Sequence, residues 1–541
     1  MKKSGTGNNQ TQNGEAKNSA APASKRRARL LPLLFLALLA VAGARAAFSL
    51  LPPSGSAATQ GSGQGAEPAF LPKLIGSYEA EDAAWTGNVK AVERASKAGF
   101  TGSGYVEGFQ EDADSCRFTI EIPADGFYDL NFVSAGGSAG EDRRNYVAAD
   151  GERLGTVSID QTSFADSVLE RVYLASGSHE IEYSKYWGWV SLDSLKVTES
   201  APIDPGIYRV SARLSNEAAS DSAKRLMSYL CDIYGTSFLS GQYCDGGMYG
   251  KEFQVIRKAT GKTPAVLGLD FIEYSPSRAA NGTLSRATEY AVDFWEKGGI
   301  VTFCWHWNAP SKYLTGQWYS GFYREYTDID LAAIMDGRDE EGYALLLEDI
   351  AAIAVQLGRL RDADVPILFR PLHEASGGWF WWGAAGPEPY KALYLLLYEK
   401  LTGEYGLNNL IWLWNGQSKD WYPGDAYVDI VGEDIYPGEK VYASQISKYL
   451  EVAAYADTVK PVYLSENGCV FDPELARRDG AMWGLWCTWG GEFVAKDTAI
   501  YTLSEQYTES DMLVKAYSHE AVVTLDELPD LSAYPIRAEA D

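Results

Sequence analysis

Two glutamates at the ends of apolar runs carry the candidate chemistry of this sequence. Glu374 follows the run Pro366–Phe369 within RPLHEASGGWFWWG (370–383), beside His373, two glycines and four aromatic residues. Glu466 closes a second such run in PVYLSENG (461–468). A carboxyl group shielded from water by tryptophan and imidazole keeps its proton to higher pH, and one that accepts a tyrosine hydroxyl, such as that of Tyr436, stays ionised. An acid facing a carboxylate is the apparatus of glycosidic cleavage: one protonates the leaving oxygen and the other attacks the anomeric carbon. A separation of about 5–5.5 Å predicts retention, and about 6.5–9.5 Å leaves room for water and predicts inversion. The competing reading makes both glutamates rim carboxylates in ion pairs. Two on partner strands ringed by aromatics favour catalysis.

Such a pair needs a frame. From residue 238 on, eight apolar runs alternate with helix-length stretches: FLSGQ (238–242), AVLGLDF (265–271), IVTFCWHW (300–307), PILFRPLHE (366–374), NLIWLWN (409–415), VDIVGEDIY (428–436), PVYLSENG and WGLWCTW (483–489). Near-continuous apolar strands are buried on both faces, as in parallel sheets. The segment YALLLEDIAAIAVQLGRLRDA (343–363) has the i, i+3, i+4 spacing of an amphipathic helix. Eight such units predict a (β/α)8 TIM barrel over 215–541, whose active site lies at the C-terminal strand ends. No glycine-rich phosphate loop supports an open doubly wound sheet instead. His306, His373, Asn415, Tyr436, Trp489, Glu374 and Glu466 all fall at those ends, and two of the chain's four histidines are among them. Glu433 and Asp434 read as rim or supporting residues.

Ahead of the barrel, residues 74–200 alternate apolar and polar residues in short runs, among them CRFTIEIP (116–123), GFYDLNFVSA (126–135) and VSLDSLKVTE (190–199). That pattern predicts an all-β jelly-roll sandwich, joined to the barrel by a hinge at 201–214. Residues 48–73 are a Gly/Ser/Pro-rich linker. KRRAR (25–29), the apolar stretch Leu30–Ala44 and a small-x-small site at Ala44–Ala46 make residues 1–47 a signal peptide, or an uncleaved anchor, and predict a secreted or cell-surface protein. Net charge is −26; residues 1–47 carry +7, so the rest carries −33 and repels phosphate backbones. Nucleic acid is not an expected partner, nor is a membrane once the signal is removed. Sixteen Trp and thirty-four Tyr exceed the needs of a core and suit surfaces that stack on sugar rings. The six cysteines lack metal-type spacing, and Cys231–Cys244 is the one pair to test for a disulfide.

RPLHEASGGWFWWG, PVYLSENG, the CWHWN strand end, YVDIVGEDIYP (427–437) and VVTLDELPDL (522–531) together resemble glycoside hydrolase family 26, a family dominated by endo-β-1,4-mannanases. The resemblance implies Glu374 as acid/base and Glu466 as nucleophile of a retaining double displacement, without any cofactor. It also implies that His306 and His373 bind the sugar or the nucleophile, that Tyr436 orients the nucleophile, and that Trp379 and Trp489 form a sugar platform. Trp318, in the loop 308–330, either closes over substrate or packs. Relatives carry Asn in an HEMNG-type turn where this chain has Ser376, so a hydrogen bond made from there is lost or passes through water. SYEAEDA (77–83), TGSGYVEGF (101–109) and WGWVSLDSLKV (187–197) resemble carbohydrate-binding module family 35. That resemblance implies a structural Ca²⁺ held by Glu79, Glu81 and Asp193, with Glu79 and Glu81 on one strand, and sugar stacking on Trp187 and Trp189. The expected molecule is a monomeric β-mannan hydrolase. Its rivals are a β-1,3-1,4-glucanase or β-1,3-xylanase on the same scaffold, a non-catalytic glycan-binding cell-wall protein, and a metal-dependent barrel hydrolase using His306 and His373.

Overall fold

The computed structural model describes residues 70–92, 97–137, 143–498 and 500–538. Residues 1–47, expected as a signal or anchor, and nearly all of the expected linker at 48–73 lie outside the described residues. No helix among the described residues is long and apolar enough to cross a membrane.

Residues 74–199 form two packed antiparallel sheets. One orders Lys90–Val92, Tyr105–Glu107, Ser191–Glu199, Gly126–Ala135 and Ala165–Leu174, with Leu74–Glu79 also paired to Ser191–Glu199. The other orders Ala84–Thr86, Ser115–Ile122, Gly177–Lys185, Arg143–Ala149 and Glu152–Ile159. Alternate residues of each strand, such as Phe118, Ile120, Phe132, Val147 and Ile181, meet between the sheets and are buried.

The barrel is closed. Its eight parallel strands are Phe238–Tyr243, Val266–Asp270, Ile300–Trp305, Ile367–Pro371, Leu410–Trp414, Ile430–Ile435, Val462–Asn467 and Leu485–Thr488, and the first pairs with both the second and the eighth. All eight apolar runs become strands because each is buried toward the lumen on one side and toward helices on the other. On the helix side, Phe303 stacks on Phe271 at 4.0 Å between centroids, and Trp412 meets Tyr394 and Tyr398 of the helix Pro387–Tyr398. On the lumen side, the polar residues Thr302, Arg370 and Glu466 are buried.

Three expectations need correction. The fourth strand ends at Pro371 rather than at Glu374, because Leu372 and Glu374 take left-handed conformations (φ 52° and 53°) that no strand continues through. Glu79 ends its strand and Glu81 lies in the following 3₁₀ turn, Ala80–Asp82, so the two do not share a strand face. All six cysteines are free thiols. Cys231 sits near the end of the helix Asp221–Ile233, whereas Cys244 follows the first barrel strand, which runs away from it. Their sulfurs face Ser211 O and Glu252 Oε2 respectively.

The Phe271–Phe303 pair seals the barrel wall just below the mouth. Truncation of a buried phenylalanine costs about 3–5 kcal/mol. Urea unfolding of Phe303→Ala, followed by tryptophan fluorescence, should show that loss; a change below about 1 kcal/mol would mean the wall is packed elsewhere.

Candidate active site

Arg370 organises the mouth. It points inward from the fourth strand, wholly buried, and donates to Asp434 Oδ2 at 2.7 Å, to Tyr243 OH at 3.2 Å and to Glu466 Oε1. Asp434 is fixed from its other side by Asn415 Nδ2 and Ser465 Oγ, each at 2.8 Å. A register irregularity between Glu433 and Asp434 turns Asp434 into the lumen and leaves Glu433 beside Lys448, 4.0 Å away on a helix. Asp434, expected as a rim or supporting residue, is a direct partner of the central cation. A charged residue inside the apolar run PILFRP was the sequence signal for Arg370, and it was not read as one.

Glu466 is buried, with one oxygen on Arg370 and the other accepting Tyr436 OH at 2.6 Å. Burial, with the Asp434 charge adding to it, pushes its carboxyl up to about 7, while the guanidinium and the phenol oppose that rise and favour the anion. Burial and Glu466 together hold the Tyr436 phenol far above its ordinary range, so it remains a donor. Among the described residues, Glu374 has no cation in hydrogen-bonding contact. Its backbone N–H donates to Asn415 O at 2.8 Å, and its Oε2 accepts Trp379 Nε1 at 2.9 Å. Burial and then the neighbouring Asp434 and Glu466 charges push its carboxyl well above the usual range. One carboxylate oxygen from each of Glu374, Asp434 and Glu466 lies within 4.8 Å of the others. Of the pair, Glu374 holds its proton more tightly and Glu466 gives it up more readily.

His306 donates from Nδ1 to Asp270 Oδ2 at 2.6 Å, and its Nε2 lies 3.2 Å from Nε2 of His373. Burial, then Arg370 and His306, depresses the His373 imidazole well below its ordinary range, so it is neutral. Asp270, at the end of AVLGLDF, was not singled out in the sequence; it orients His306. Trp489 packs against Tyr243 at 4.7 Å and against His306 at 5.8 Å. Trp379 is 39 % exposed, while Phe380, Trp381 and Trp382 behind it are buried. A Cβ at Gly377 would overlap the Trp379 ring, so glycine is needed there. Trp318 is not brought to the pair: its ring lies 5.7 Å from the Arg278 guanidinium, and its carbonyl accepts Asn308 Nδ2. Ser376 meets the neighbouring strand end through its backbone N–H to Gly416 O at 3.2 Å.

Among the described residues, two clusters have metal-like ligand spacing, Asp270–Cys304–His306 and Glu374–Asp434–Glu466. In the first the imidazole already pairs with Asp270, and in the second Arg370 supplies the positive charge. In the sandwich, Thr101 Oγ1 lies 2.9 Å from both Glu79 Oε2 and Asp193 Oδ2, and Glu81 Oε1 accepts Gly104 N at 3.0 Å. Glu79 and Glu81 both reach the same loop despite leaving different elements. Trp187 and Trp189 are 42 % and 60 % exposed.

Residues 215–517 match the family model "Glycosyl hydrolase family 26". The chain belongs to glycosyl hydrolase family 26. Residues 76–200 match "Carbohydrate binding module (family 35)". A mannan endo-1,4-β-mannosidase of Thermothelomyces thermophilus is 40 % identical over 476 residues, covering 87 % of this chain and 94 % of that protein. Mannan endo-1,4-β-mannosidase B of Piromyces sp. is 33 % identical, covering 84 % and 77 %. Among solved structures, a Podospora anserina β-(1,4)-mannanase that joins the same two families superposes with a TM-score of 0.59 at 38 % identity, over 84 % of this chain and 99 % of that one.

Removing the cation should leave two buried carboxylates facing each other. Arg370→Met is expected to cost about 3–5 kcal/mol at pH 8. Its carboxyl groups would then bind protons more tightly folded than unfolded, so the deficit is largest where they are ionised and shrinks as pH falls toward 5. Urea unfolding at the two pH values reads this directly.

Proposed function

We propose that this chain is an exported endo-β-1,4-mannanase that cleaves internal β-mannosidic bonds of mannan, galactomannan or glucomannan with retention. The carrying observation is the close, electrostatically unequal pair: Glu466 on Arg370 and Tyr436, and Glu374 with neither. Their nearest oxygens lie within 4.8 Å, close to the retaining separation of about 5–5.5 Å and short of the inverting range. Glu374 protonates the glycosidic oxygen while Glu466 attacks the anomeric carbon and forms a glycosyl ester. Glu374, now a carboxylate, takes a proton from water as that water cleaves the ester. Tyr436 and Arg370 hold Glu466 ionised for attack. His306, His373 and Trp489 line the sugar next to it, and Trp379 supports the leaving side while bonding Glu374. The mannan preference rests on the relatives' activities; mixed-linkage β-glucan and β-1,3-xylan are the substrates to set against it.

Reducing-sugar release from galactomannan, glucomannan, mixed-linkage glucan and β-1,3-xylan should be greatest on the mannans. Release from glucan but not mannan would overturn the substrate assignment. Glu374→Ala should lose about 10²–10⁴-fold in kcat and the alkaline limb of the pH profile, and Glu466→Ala should lose turnover altogether. The acid limb marks protonation of Glu466, and the alkaline limb marks deprotonation of Glu374. Undiminished turnover in either variant sinks the mechanism, and ¹H NMR of the first-formed anomer tests retention.

For the sandwich we propose glycan binding through Trp187 and Trp189 and a structural Ca²⁺ at Glu79, Glu81 and Asp193. The residues fit a hard cation. Glu81 Oε2 is buried with no hydrogen-bond partner, and burial raises the Glu79 carboxyl, with Asp193 and Glu81 adding to the effect. Calcium there would supply cross-bracing and no chemistry. EDTA should lower the sandwich's unfolding temperature by several degrees, with added Ca²⁺ restoring it, and Glu81→Gln should abolish the response.

A further inference from the structure

An appended glycan-binding domain raises local substrate concentration and leaves the chemical step alone. The contacts between sandwich and barrel point to more. The loop Tyr436–Gln445 joins the sixth barrel strand to the helix Ile446–Ala453, and its first residue bonds Glu466 Oε2 at 2.6 Å. Two residues on, Gly438 has φ 105°, and a Cβ built there would lie 3.0 Å from Nη1 of Arg153, a sandwich residue. The far end, Gln445 (φ 57°), brings its Oε1 to 3.4 Å from the Cβ position of Gly155, on the same sandwich strand. Arg153 is itself seated, with its guanidinium 3.8 Å from the centroid of the Tyr146 ring on the neighbouring strand. Just beyond the loop, Glu170 N donates to Ser447 Oγ at 3.1 Å, and Arg171 Nε donates to Asp479 O at 3.0 Å. The loop is therefore held between the catalytic carboxylate and the sandwich.

We infer that the sandwich is a structural wall of the active site, in which Arg153, seated on Tyr146, is a positioning residue that holds the Gly438 turn and through it keeps Tyr436 on Glu466. The inference rests on Glu466 being the nucleophile. Losing the phenol's hydrogen bond favours the protonated carboxyl, so slackening the loop moves the acid limb to higher pH. The other groups facing Glu466 are Arg370 from the fourth strand, Asp434 from the sixth, Cys304 and His306 from the third, Tyr243 from the first, Cys487 from the eighth, and Glu374. None of them contacts Arg153 through a hydrogen bond or ion pair among the described residues, so a shift seen on changing Arg153 reports Tyr436.

The test uses the full chain and a soluble manno-oligosaccharide such as mannopentaose, so that binding to insoluble polymer plays no part. Arg153→Ala should lower kcat about tenfold, leave KM within about twofold, and shift the acid limb upward in the direction that Tyr436→Phe shifts it. In the Tyr436→Phe background the same substitution should add nothing, the signature of a shared route. Arg153→Lys, which keeps the charge and loses the planar stack, should recover part of the rate and so separate positioning from misfolding. Parental kcat and pH profile in Arg153→Ala, with reduced retention on insoluble mannan only, would overturn the inference. If Glu466→Ala kept turnover, the nucleophile assignment would fail instead, so the two failures are distinguishable.

Discussion

A guanidinium with no solvent exposure, inside a barrel, is the constraint on which the rest of the site depends. Burying Arg370 is tolerable only because Asp434, Glu466 and the Tyr243 hydroxyl accept from it. Those acceptors come from three different strands, so one cation fixes three strand ends relative to the fourth. It also breaks the symmetry of the Glu374–Glu466 pair. Two carboxyl groups at this separation cannot both ionise cheaply, and the one touching Arg370 takes the charge. Lysine could not replace it, since a single ammonium lacks the planar fork that meets Asp434 and Glu466 with separate nitrogens.

Glu374 is placed by strain as much as by charge. Leu372 and Glu374 both occupy the left-handed region, where non-glycine residues are uncommon. Such conformations persist only where surroundings over-determine them. Here Trp382 Nε1 binds His373 O at 2.9 Å, Glu374 N binds Asn415 O, and Trp379 Nε1 binds the carboxylate itself. The chain leaves the strand, reverses its twist twice within three residues, and delivers Glu374 beside Glu466 instead of along the strand axis. The irregularities in the sixth and seventh strands serve the same end, turning Asp434 and Glu466 inward together.

Much of this was legible in the sequence. Eight apolar runs became eight barrel strands because burial on both faces leaves a compositional trace that needs no side-chain geometry. Glu374 and Glu466 stood out by their place beside the ends of apolar runs and by their aromatic company, and the structure brings their carboxylates together. What period-based reading loses is any break in period. The irregularity at Glu433/Asp434 hid which of two adjacent acids faces inward. A bulge between Val147 and Ala148 accompanied a strand, Glu152–Ile159, that was not recognised. Glu79 and Glu81 were given a common strand face that a one-turn 3₁₀ helix removes. Asp270 and Arg370 escaped because their importance lies in partners that are distant in sequence, Asp270 with His306 and Arg370 with Glu466.

The surplus of tryptophan is the feature whose meaning changes most. Its abundance suits sugar-stacking surfaces, yet Trp305, Trp307, Trp381, Trp382, Trp412, Trp414, Trp483 and Trp486 are all fully buried. Half of the sixteen thus serve the barrel wall. Trp305 stacks on Trp307 at 4.1 Å, Trp381 donates to Trp307 O at 2.6 Å, and Trp307 donates to Asp349, a buried acid pushed up to about 7 by desolvation. This shell lies behind the third and fourth strand ends, where the backbone carries its greatest strain. A ring buries a large area with only two side-chain torsions to freeze, so it buys rigidity at low entropic cost. Trp379 at the cleft is one of the few exposed tryptophan rings, and the buried rings behind it hold the frame that presents it. Rigidity behind the strand ends and stacking in front of them are the same aromatic chemistry applied on two faces of one wall.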